Sequence, residues 1–60
     1  MIEEYKKEIE QKRQEIQEIE TAIEESIENY DFQKAGMLTH NIYHLRMAIL
    51  FNIEKIKTYE

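Results

Sequence analysis

The sequence predicts an all-α protein, an antiparallel two-helix hairpin packed like a coiled coil. The first observation is composition: there is no proline and one glycine, and 35% of residues are charged beside 42% hydrophobic. That balance belongs to long helices and coiled coils. The second is a seven-residue recurrence of isoleucine at Ile2, Ile9, Ile16 and Ile23, the spacing that keeps one face of a helix against a partner. The third is a register test. Ile2 and Tyr59, Tyr5 and Ile56, Ile16 and Leu45, Ile19 and Ile42, Ile23 and Leu38, and the small pair Ser26 and Ala35 all have numbers adding to 61. Facing residues of an antiparallel pair must behave this way.

Residues 1–60 are read as one domain. Helix one is expected over about 2–28, with Ile2, Ile9, Ile16, Ile23 and then Tyr30 at one core position. Tyr5, Lys12, Ile19 and Ser26 take the other. Good helix formers fill the outside, and Glu3 with Lys7 and Glu8 with Lys12 are oriented for i,i+4 pairing. The turn is expected at 29–31. Asn29 tolerates the left-handed conformation that ends helices, and Asp31 is a good N-cap for the second helix.

Helix two is expected over about 32–58, with Ala35, Leu38, Ile42, Leu45, Ile49, Asn52, Ile56 and Tyr59 on the seam. Two layers are mismatched, Ile9 with Asn52 and Lys12 with Ile49. Lys12 is expected to snorkel to the rim, and Asn52 to fix register or chain number at some cost in stability.

The stretch Ile42–Ile53 is the one that the rest must accommodate. Nine of its twelve residues are apolar or aromatic, and a helix apolar nearly all round needs cover on more than one side. Helix one covers one side only. At 100° per residue Tyr43, Met47, Leu50 and Phe51 fall opposite the seam, with Gly36 and His40 continuing their stripe. The expected partner-binding residues are therefore Phe32, His40, Tyr43, Met47, Leu50 and Phe51. The stripe is either the core of a homo-oligomer, such as a dimeric four-helix bundle, or a groove for a different protein. A small chain without cysteine has no disulfide to staple it, which also points to assembly or docking.

Charge is uneven. Residues 1–29 carry ten Glu against four Lys or Arg, whereas residues 30–60 carry three acids against four bases. Glu15, Glu18, Glu20, Glu24, Glu25 and Glu28 form a run without a single base. That field disfavours direct binding to nucleic acid, whose phosphates require Lys and Arg. It favours a basic partner, or a protein that itself binds DNA; a solvated helix face is the plainer reading.

Signals for chemistry are sparse. His40 and His44 have the i,i+4 spacing of a helical metal pair, but Asn41 stands where a metalloprotease helix has glutamate. Two histidines fall short of a structural site, so no metal or other cofactor is expected, and both are read as rim residues. Catalytic carboxylates need a concave, partly dry site, which a hairpin lacks. There is no Gly-rich phosphate loop and no nucleophile with a base at readable spacing. Neither catalysis nor a small-molecule substrate is expected. The start M-I-E-E-Y-K-K has no apolar signal core and no 18-residue apolar run exists, so no membrane segment and a cytoplasmic location are expected.

The segment I-E-N-Y-D-F-Q-K-A-G-M-L-T-H-N-I-Y-H-L, residues 27–45, resembles the UVR motif, a helical hairpin of bacterial excision-repair subunits and some protease adaptors. The matching positions are Asp31 and Phe32, the small pair Ala35 and Gly36, then Leu38, Ile42 and Leu45. The motif usually has Arg-Asp after the leucine; Thr39 and His40 stand here. The likeness implies a non-catalytic hairpin that docks on a similar hairpin, with Phe32 near the contact. In size the chain is also similar to two-helix bacterial regulators such as phosphorelay aspartyl-phosphate phosphatases, without their Ser-Gln-Glu-Leu-Asp signature. The expected function is a non-catalytic interaction module or small regulator. The alternatives are an acidic inhibitor, of the kind some phages encode, covering a basic surface, or a phosphatase-like regulator.

Overall fold

The structure, a computed structural model, describes residues 2–59; Met1 and Glu60, the ends of the expected domain, lie outside the described residues. Two α-helices account for nearly all of it, α1 over Ile2–Glu28 and α2 over Phe32–Tyr59. There is no strand among the described residues. The helices pack side by side into a rod of 46 × 14 × 10 Å. Contacts between Asn52 and Glu8, and between Tyr59 and Tyr5, show that they run antiparallel.

The turn is built from two backbone hydrogen bonds that close the end of α1. The Tyr30 N–H donates to the Ile27 carbonyl at 3.0 Å and the Asp31 N–H to the Ser26 carbonyl at 2.8 Å. This is the Schellman arrangement, in which one residue must adopt the left-handed conformation. That residue is Tyr30, with φ of 59°, and not Asn29 as expected. The helix ends at Glu28 as expected, but the Asn29 N–H still donates to the Glu25 carbonyl at 3.0 Å, so Asn29 is the half-helical cap and the left-handed position is the residue after it. Nor does Tyr30 continue the seam; it is 80% exposed and meets Phe32 edge-on at 6.3 Å. Asp31 then starts α2. Its Oδ1 accepts the Lys34 N–H at 3.2 Å and its carbonyl accepts the Ala35 N–H at 3.1 Å.

Between the helices lies a single seam. Ile16, Ala35 and Ile42 are its buried apolar residues, with Ser26 and Asn52 buried among them. Ile2, Tyr5, Ile9, Ile19, Ile23, Leu38, Leu45, Ile49 and Ile56 are half-buried along it. Ser26 and Ala35 let the helices approach near the turn, and the Ser26 hydroxyl is satisfied by the Ala22 carbonyl of its own helix at 2.9 Å. No described side chain is completely buried, because two helices cover each other on one face only.

The two mismatched layers share one residue. Glu8 accepts from Asn52 Nδ2 at 3.3 Å through one carboxylate oxygen and meets Lys12 Nζ at 3.8 Å through the other. Lys12 is thus held within the hairpin's flank by an ion pair as well as by its aliphatic stem. Glu3 and Lys7 form no such pair among the described residues. Tyr59, expected opposite Ile2, is 53% exposed and stacks on Tyr5 instead, centroids 6.3 Å apart. A straight helix drifts about 20° per heptad against a seven-residue repeat, which carries the last seam position outward.

Candidate functional site

Helix α2 presents a second apolar face. Phe32, Tyr43, Met47, Leu50 and Phe51 are between 49% and 64% exposed, and His40 is exposed with them. Their positions place them on the side of α2 away from Ile42, Leu45 and Ile49, so α1 cannot reach them. Gly36 lies in the same stripe, and a methyl group added there would meet nothing within 4 Å. Taking roughly 60% of about 200 Å² for each aromatic and about 100 Å² for Met47 and Leu50, the stripe exposes about 550 Å² of largely apolar surface.

Details within the stripe were not legible from spacing. His40 and His44 touch through their ring nitrogens, Nε2 to Nε2 at 3.1 Å, with the rings nearly perpendicular. Tyr43 packs edge-on against His44, centroids 5.9 Å apart. At the other end the Lys55 ammonium sits 4.6 Å from the Phe51 centroid and 5.5 Å from that of Tyr5. Lys55 therefore ties the end of the stripe back to α1 by cation–π attraction.

Sequence reasoning missed three exposed apolar residues near the turn, Ile27, Tyr30 and Met37. Ile27 and Met37 each come directly after a small residue (Ser26 and Gly36) and sit off the heptad, which is the signal that could have found them.

Glu15, Glu18, Glu20, Glu24, Glu25 and Glu28 are all exposed, and helical spacing spreads them around the outside of α1. Two of them, Glu25 and Glu28, stand in the last turn of α1, which has no basic residue. The negative end of the helix dipole disfavours each by about 0.3–1 kcal/mol at low salt.

Among the described residues no group of three or more His, Cys, Asp or Glu is arranged to hold a metal ion. A shallow, open cleft at the end distant from the turn is lined by Tyr5, Lys55, Thr58 and Tyr59. No described helix is long and apolar enough to cross a membrane. No protein-family model, curated protein or solved structure matches the chain.

Proposed function

We infer that this chain is a non-catalytic, cytoplasmic interaction module or small regulator that self-associates through the outer face of α2, two hairpins forming a four-helix bundle. One observation carries the reading: five large apolar side chains lie about half-exposed or more in one stripe, while no described side chain of the hairpin's own seam is completely buried. Two such stripes would remove about 1,100 Å² from water, close to the roughly 1,000 Å² that a specific interface needs.

The stripe is also self-complementary. Laid antiparallel on a second copy with Phe32 facing Phe51, it brings Gly36 opposite Met47 and His40 opposite Tyr43. A large side chain then meets an open position at Gly36, as a two-fold interface requires. The likeness of residues 27–45 to a hairpin that docks on hairpins supports the same reading.

Melting followed by circular dichroism should shift upward with protein concentration, as mass action demands of an oligomer. A stable monomer in sedimentation at high micromolar concentration would refute self-association.

A second reading is favoured by the end of α1. Glu25 and Glu28 oppose the helix dipole there, which suits an acidic surface that covers a basic, nucleic-acid-binding protein. Binding of that kind weakens steeply with salt, whereas apolar self-association does not. Salt titration of the complex distinguishes the two.

A further inference from the structure

The histidine pair lies at the middle of the stripe and has geometry beyond what i,i+4 spacing guarantees. His40 and His44 are both exposed, with Nε2 atoms 3.1 Å apart. In the metal-free pair one ring donates its Nε2 proton to the other's lone pair. Two nitrogens bound to one ion at about 2.0–2.1 Å stand about 2.9 Å apart at a right angle and about 3.4 Å apart at the tetrahedral angle. The observed separation lies between those limits, so one turn of α2 already sets the bite of a single ion. We propose that His40 and His44 chelate a divalent transition ion of the zinc, nickel or copper class through Nε2, and that the same pair from a second copy completes its shell.

The shared shell rests on the self-pairing proposed above, and two observations lead to it. No third His, Cys, Asp or Glu of the described chain is placed to join the pair, so two coordination positions stay open to an outside donor. The second is position. Pairing Phe32 with Phe51 puts the two-fold axis between residues 41 and 42, beside the midpoint of the histidines. All four imidazoles then fall within about 7.5 Å along the helix axes at 1.5 Å per residue. An axis normal to the plane of the two α2 helices keeps matching flanks on the same side, so the four rings gather at one edge of the interface. The ion takes the position of the shared proton, which moves to Nδ1 of the ring that carried it, so all four imidazoles stay neutral and the ion gains a complete tetrahedral shell. Imidazole donors suit zinc, nickel and copper and not magnesium or calcium. The metal would not hold the hairpin itself, whose seam lies on the opposite face.

The test is titration of the full chain, stripped with EDTA, with zinc and separately with magnesium, followed by calorimetry and sedimentation velocity. Zinc should bind at one ion per two chains and tighten dimerisation at least tenfold, and magnesium should do neither. His40→Ala and His44→Ala should each abolish the zinc effect while circular dichroism shows the helices retained. Leu50→Asp should abolish the one-to-two stoichiometry. Dimerisation without metal that zinc leaves unchanged would overturn the metal site and leave self-association standing. One zinc per chain, with the mass of a single chain both with and without the metal, would overturn the shared shell and the self-pairing beneath it.

Discussion

Replacing Leu45 and Leu50 in turn by aspartate separates the two faces of α2, because the substitutions are chemically alike and the sites are not. Leu45 is half-buried on the seam, and the register that sums facing numbers to 61 sets it opposite Ile16. Leu50 is exposed on the outer stripe. A carboxylate at position 45 forfeits part of the roughly 1.5–3 kcal/mol from burying a leucine. It also places a charge without a partner inside the hairpin, at a further cost of several kcal/mol. A domain this size has a total stability of about 3–9 kcal/mol at the usual 0.05–0.15 kcal/mol per residue, so Leu45→Asp should unfold the chain. Leu50→Asp in an isolated hairpin costs only helix propensity, about 0.5 kcal/mol. Across a self-paired stripe it buries a charge, so mass in solution should fall to that of one chain, with helicity partly retained at low temperature. Sedimentation velocity and circular dichroism on both variants read the two effects. If Leu50→Asp keeps the parental mass, the outer stripe is not the assembly face. If Leu45→Asp melts like the parent, the seam is misassigned.

Tyr30→Gly should stabilise the hairpin by about 1 kcal/mol, since glycine removes the steric cost of the left-handed turn; a Tm rise of about 4–8 °C would register it, and a fall would mean that the Tyr30 contact with Phe32 outweighs backbone strain. Glu8→Ala should destabilise by about 1–3 kcal/mol, because the buried Asn52 amide loses its acceptor and Lys12 its partner. Pairing that change with Asn52→Leu should restore thermal stability, and a double variant no better than Glu8→Ala would show that the polar layer matters for another reason. Gly36→Ala should raise helicity by about 1 kcal/mol in the monomer, where nothing obstructs the methyl group, and should weaken dimerisation if Met47 of the second copy packs there; equal dimerisation by sedimentation would place Gly36 outside the contact.

What the sequence by itself determined is the helical class and the composition of the seam. Isoleucine at seven-residue spacing forces one face of α1 inward whatever the neighbour, and the constant sum of facing numbers gives the antiparallel sense of the seam, though not its last layer, where Tyr59 meets Tyr5 and not Ile2. Asp31 as the cap of α2 was equally legible, since a carboxylate beside free N–H groups acts over one turn of local backbone. Legible too was the surplus of apolar residues on α2, because angular position is set by residue number alone. Only the tertiary structure decided the rest. The left-handed turn position passed from Asn29 to Tyr30 because the helix end is fixed by hydrogen bonds to Ser26 and Ile27, not by the residue best suited to the conformation. Glu8 serves both mismatched layers because it lies on the flank of the seam beside Asn52 and within one turn of Lys12. The contact between His40 and His44 depends on side-chain torsions, which spacing leaves free and packing against Tyr43 constrains. Periodicity fixes which face a residue occupies; what it touches there is settled by rotamers and by the chain packed across from it.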